Sequence, residues 1–160
     1  MKRTYLAGIA LGLAPLALSA CGSEAEVEAP EGPVEMRGVE ISNARLILPA
    51  VGGNPGVVYF DLAFDGERNV QLRAVSVAGA ASATMHEYIE WNGGSEMGEL
   101  IPQVIAPGAT LSFEPGGKHI MAMELADELE AGTTTQVTLS FSGGSSYTFD
   151  AEIREPGDDR

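Results

Sequence analysis

From Val39 onward the chain breaks into short apolar runs that alternate with polar positions. "VEISNARLIL" (39–48) and "GVVYFDLAF" (56–64) are rich in β-branched and aromatic residues. In "NVQLRAVSV" (69–77), Val70, Leu72 and Ala74 alternate with Gln71 and Arg73, and Val75 and Val77 follow. Near the C-terminus Val137, Leu139 and Phe141 take one face, and Thr138 and Ser140 the other. A period of two is the signature of a half-buried strand. Shorter strand candidates are Thr84 to Ile89, Gln103 to Ile105, Thr110 to Phe113, Lys118 to Met123 and Tyr147 to Ile153. Between the runs stand "GGNPG", "DGER", "NGG", "APGA", "EPGG" and "SGG", each a turn signal. A short loop or a turn of helix is expected in 124–132, where Leu125 and Leu129 are four apart and Gly132 could close the turn. No internal repeat is visible. Many short strands with regular punctuation predict an all-β, antiparallel β-sandwich or barrel.

The first residues follow a different rule. Lys2 and Arg3 precede an apolar run from Tyr5 to Leu18, which suits a secretion signal and is short for a membrane-spanning helix. "LSAC" (18–21) resembles a bacterial lipobox, in which the cysteine becomes a lipidated N-terminus. Residues 1–20 are therefore expected to be a lipoprotein signal peptide, with Cys21 the lipidation site. Residues 21–36 have no period and are rich in Glu, Pro, Gly and Ala, as a flexible acidic tether would be. Residues 37–155 form the domain and 156–160 a short tail. The expected place is the periplasmic side of a bacterial membrane, held there by lipid.

Cys21 is the only cysteine, so the domain has no internal disulfide, no thiolate nucleophile and no thiolate metal ligand. A blue-copper electron-transfer centre needs a thiolate and is disfavoured. Without Lys2 and Arg3, 7 basic residues face 23 acidic ones, and the net charge moves from −14 to −16. Nucleic acid needs a basic footprint and is excluded as a partner. An acidic surface favours cations and basic partners, although it also serves plain solubility.

Residues that do chemistry are few. No Gly-x-Ser-x-Gly elbow is present, the carboxylates are scattered, and "SGGSS" precedes a strand rather than a helix. No enzyme is expected. Both histidines, however, sit close to methionine: Met85-His86, then Met97, then His119, Met121 and Met123. On a strand His119, Met121 and Met123 share one face. Taken singly, each methionine is ordinary core filler and each histidine structural. Together, imidazole and thioether make a soft, neutral donor set that suits Cu(I), whereas Mg, Ca and Mn want oxygen.

The spacing carries a family resemblance. His86, ten residues, Met97, twenty-one residues, then His119-Ile120-Met121 resembles the signature of the periplasmic PCu(A)C copper chaperones. "VVYFDLAF" looks like that family's aromatic early strand, and the stretch from "IAPGATLSFEPGG" to "TTTQVTLSF" like its C-terminal half. The resemblance covers roughly Val39 to Ile153. It implies a cupredoxin-like antiparallel β-sandwich (Greek key) and copper ligands at His86, Met97, His119 and Met121. It also implies delivery toward the copper centre of cytochrome c oxidase subunit II, alongside Sco-type proteins. Met85 and Met123 are candidates for the surroundings of the metal. Two features depart from the pattern. "SNARLIL" stands where the family shows a tryptophan-containing segment, and Met85 precedes the first histidine instead of following it. A copper buffer or resistance protein would use the same ligands. A structural β-sandwich lipoprotein would instead leave the two histidines far apart.

Overall fold

The computed structural model describes residues 34–91 and 93–158. The expected signal peptide, Cys21 and the part of the expected tether before Val34 lie outside the described residues. The rest forms eleven strands: β1 (Val34–Glu35), β2 (Val39–Ile47), β3 (Gly56–Phe64), β4 (Val70–Val77), β5 (Ala80–Trp91), β6 (Gly94–Glu99), β7 (Gln103–Ile105), β8 (Thr110–Phe113), β9 (His119–Leu125), β10 (Thr134–Phe141) and β11 (Ser145–Arg154). Among the described residues no helix is long and apolar enough to cross a membrane.

Hydrogen bonds join the strands in the order β6-β5-β9-β3-β2-β11-β10-β4-β7, with β1 on β11 and β8 on β3. Strands β4 and β5 lie near opposite ends of that order, yet only Ala78 and Gly79 separate them in sequence. Gly79 takes φ 78°, a left-handed conformation open to glycine at little cost. The two strands pack together, so the sheet closes on itself as an all-β sandwich around one core. The pairing is mostly antiparallel, but β11 runs parallel to β1 and to β2, which corrects the purely antiparallel expectation.

The core follows from the alternation. In β3 Val58, Phe60, Leu62 and Phe64 point inward and are fully or nearly buried. Phe60 stacks on Phe113 at a centroid distance of 4.5 Å and meets Phe149 at 5.2 Å. Each such ring removed from water contributes roughly 1.5–3 kcal/mol. In β4 Leu72, Val75 and Val77 are buried while Ala74 is exposed. The phase changes because pairing with β10 skips Arg73, a β-bulge between the Leu72–Phe141 and Ala74–Ser140 partners.

Two local expectations change. Val34 and Glu35, placed in the tether, belong to the sheet, where Met36 N–H also donates to Ser146 O at 2.7 Å. A two-residue strand has no period to read. Gly94–Glu99, read as turn and loop, is strand β6; its pairing with β5 overrides a glycine-containing sequence without clear alternation. The stretch after β9, expected as a short loop or a turn of helix, is a loop of turns closed by Leu129 N–H to Ala126 O and Thr133 N–H to Glu130 O.

Candidate metal centre

The registers of β6, β5, β9 and β3 bring the singled-out residues to one place. His86 on β5 lies directly opposite His119 on β9. Tyr88 lies opposite Met97 of β6, and Thr84 opposite Met121, which is in turn opposite Val57 of β3. Direct cross-strand partners share a face, so these side chains form one patch on the outer face of the sheet. The intervening residues Met85, Ile120 and Ala122 point into the core.

His119 is only 5% exposed, although it stands on the outer face. Tyr88 covers it with a ring-centroid distance of 5.3 Å, and the thioether of Met97 comes within 3.2 Å of its Nε2. The turn before β9 orients the ring. Glu114 N–H donates to Lys118 O at 2.7 Å, and Gly116 takes φ 78° inside that loop. The carbonyl of Gly117 then lies 2.9 Å from His119 Nδ1. A carbonyl can only accept, so Nδ1 carries the proton and Nε2 presents a lone pair. Met97 has no proton to give, so the 3.2 Å contact sets two lone-pair donors side by side. In a tetrahedral centre with bonds near 2.0 Å to nitrogen and 2.3 Å to sulfur, those donors would be about 3.5 Å apart.

His86 stands beside His119 with the rings nearly parallel, 22° apart, and centroids 6.0 Å apart. Its Nε2 is 2.8 Å from Thr84 Oγ1, and its Nδ1 is buried with no hydrogen-bond partner among the described residues. A buried imidazole nitrogen without a partner is costly, and binding a ligand relieves that cost. Met121 lines an open cavity of about 370 Å³ together with Met97, His119, Tyr88, Tyr59 and Val57. Arg45 lies 5.0 Å from the centre of the Tyr59 ring and braces that wall. Lys118, just before β9, pairs at 3.3 Å with Glu87 of β5, and each adjoins one of the two histidines.

The structure therefore gathers His86, Met97, His119 and Met121. Met97 is 44% exposed and forms the open side. Met123 lies on the same face of β9 one step farther on, opposite Ser82 and away from the cavity. Met85 does not belong to this cluster, which corrects the expectation that it surrounds a metal. It is buried in the core on the far side of the sheet, because adjacent strand residues point to opposite faces. Among the described residues no three His, Cys, Asp or Glu side chains come together, and the groups gathered here are imidazoles and thioethers. Sequence reasoning missed Thr84 and Tyr88. Both lie two positions from His86 in β5, and the same alternation that linked His119 to Met121 would have found them.

A family model described as "Putative lipoprotein LpqE-like" matches residues 39–153. The chain belongs to the LpqE-like family. A relative, "Putative lipoprotein Lxx21020" of Leifsonia xyli, is 32% identical over 156 residues, covering 97% of this chain and 90% of its own. Solved structures of similar fold include the copper-bound PCuAC domain from PmoF2, 20% identical with a TM-score of 0.61 over 74% of this chain and 94% of that one. The apo form of the same domain gives a TM-score of 0.63 at 20% identity, over 77% and 94% of the two chains. The Cu(I) form of DR1885 from Deinococcus radiodurans gives 0.53 at 20% identity, over 87% and 89%. The LpqE-like domain thus has the β-sandwich fold of PCuAC domains.

Proposed function

We propose that this protein is an extracytoplasmic, lipid-anchored copper chaperone. It takes Cu(I) at His86, Met97, His119 and Met121 and passes it on by ligand exchange, with no chemical turnover. The observation that carries this reading is the contact between His119 Nε2 and Met97 Sδ. A lone pair fixed by the Gly117 carbonyl faces a soft sulfur at 3.2 Å, with a second imidazole on the directly opposite residue. Two imidazoles and two thioethers add no charge, need no deprotonation and select a soft monovalent ion over Mg, Ca or Mn. Thioethers also resist the disulfide chemistry that threatens free thiols outside the cytoplasm.

Three further findings support the reading. The solved structures of similar fold include copper-bound and Cu(I)-bound proteins. The chain belongs to a family described as lipoproteins, and Cys21 is its only cysteine. Met97 is exposed at the open side, where an incoming ligand can replace it first. We assign the recipient to the assembly of the cytochrome c oxidase copper centre, reached on the periplasmic side of a bacterial membrane. The test is Cu(I) competition titration of the full chain. Loss of affinity in His119→Ala and Met121→Ala supports the site, and wild-type affinity in both overturns it. A deletion strain with normal oxidase activity and heightened copper sensitivity would make the protein a buffer.

A further inference from the structure

The hairpin of β5 and β6 has two faces. One carries Tyr88 and Met97 against His119. The other carries Ile89 and Trp91, which reach beyond the core and are 48% and 71% exposed. Trp91 is the only tryptophan of the chain and projects farther into solvent than any other aromatic side chain among the described large hydrophobics. Tryptophan is the residue most enriched where binding energy concentrates. Strand β6 also ends the strand order, so one row of its backbone groups has no strand beside it among the described residues.

The charges on this hairpin narrow the occupant. Between Ala80 and Glu99 there are four glutamates and no lysine or arginine. Glu87 is held by Lys118, while Glu90, Glu96 and Glu99 are exposed. A second copy docked by two-fold symmetry would set these glutamates against themselves, which is unfavourable. An anionic bilayer surface would repel them in the same way. A protein surface with an apolar cleft rimmed by Lys or Arg is complementary to both the rings and the charges.

We propose that the β5–β6 hairpin docks onto the protein that receives the copper, with Trp91 in an apolar cleft and Glu96, the direct partner of Ile89 on the same face, against its basic rim. This rests on the chaperone reading for the identity of the partner. Docking on one face of the hairpin bears on Met97 on the other, so it shifts the exposed ligand away from His119 and opens the site to exchange.

The test uses the full chain with 5-fluorotryptophan at its single tryptophan, loaded with Cu(I), and the soluble copper-binding domain of cytochrome c oxidase subunit II as the probe. Docking predicts that the Trp91 fluorine signal shifts on addition of the probe and that raising salt reverses the shift. Trp91→Ala then slows Cu(I) transfer about tenfold or more while Cu(I) affinity stays within twofold of wild type. Glu96→Gln weakens the shift. An unchanged fluorine signal at saturating probe, or wild-type transfer in Trp91→Ala, overturns the docking proposal. Cu(I) that stays on the wild-type His/Met site although the fluorine signal shifts contradicts the chaperone reading and leaves the docking face supported.

Discussion

His119 Nε2 lies 3.2 Å from Met97 Sδ, across two strands and 22 positions of sequence. With the Nδ1–H of His119 donating to Gly117 O, Nε2 of the neutral ring carries a lone pair, and neither it nor Sδ has a proton to give the other. Met97→Ala removes one donor and is expected to lower Cu(I) affinity by more than the ~10–100-fold typical of losing an outer hydrogen-bond partner of a metal site. Because Met97 is exposed and lies outside the core, the apo protein should unfold within about 0.5 kcal/mol of wild type. Chelator competition and urea unfolding measure the two effects separately.

Thr84 holds His86 through a 2.8 Å contact between Oγ1 and Nε2. Thr84→Val keeps the shape and removes the hydroxyl. The ¹⁵N shifts of the His86 ring in the apo protein should then change, and Cu(I) affinity should fall about tenfold, less than in His86→Ala. Thr84→Ser should restore both readouts. Ring shifts that are identical in the valine variant would show that the hydroxyl does not position the imidazole.

Met85 is a neighbour of His86 in sequence and a core residue in space. Met85→Leu conserves volume and should leave Cu(I) affinity within twofold of wild type, with less than about 1.5 kcal/mol lost in stability. Met85→Ala should cost about 2–5 kcal/mol while the folded fraction still binds copper normally. A large affinity loss in Met85→Leu would restore this residue to the site.

Asp61 tests the acid limb of stability. Its Oδ2 accepts from Asn43 Nδ2 at 2.8 Å, and Asn43 sits in the left-handed region (φ 55°) of a bulge in β2. Hydrogen bonds from Asn43 and from Ser112, with the charge of Arg45, hold the Asp61 carboxyl below its ordinary value of 3.8. A folded-state value below the unfolded one contributes stability above pH 3.8 that is lost as pH falls through the folded value. Asp61→Asn should therefore be less stable than wild type at pH 7, and the gap should shrink below pH 3.8. A gap that is constant from pH 7 to strong acid would contradict the assignment.

Most of the fold was legible because its core strands alternate. The strand limits of "GVVYFDLAF", Gln103–Ile105 and Thr110–Phe113 coincide with β3, β7 and β8. The extra apolar residue at Ala74 to Val75 marked a bulge that only the partner strand could reveal. Strand β1 is too short to show a period, and β6 is defined by β5 and not by its own sequence. The parallel pairing of β2 with β11 joins segments about a hundred residues apart and leaves no local trace. At the site, alternation placed His119 with Met121, and family spacing supplied His86 and Met97. The tautomer of His119 depends on a carbonyl in a turn, and the state of His86 on a threonine hydroxyl, neither of which residue spacing encodes.

X-ray absorption at the copper edge of the Cu(I)-loaded full chain tests the ligand set most directly. Two nitrogens near 2.0 Å and two sulfurs near 2.3 Å are predicted. One sulfur should be lost in Met97→Ala and one in Met121→Ala. A spectrum without sulfur scattering, or one unchanged in both variants, would contradict copper binding by His86, Met97, His119 and Met121.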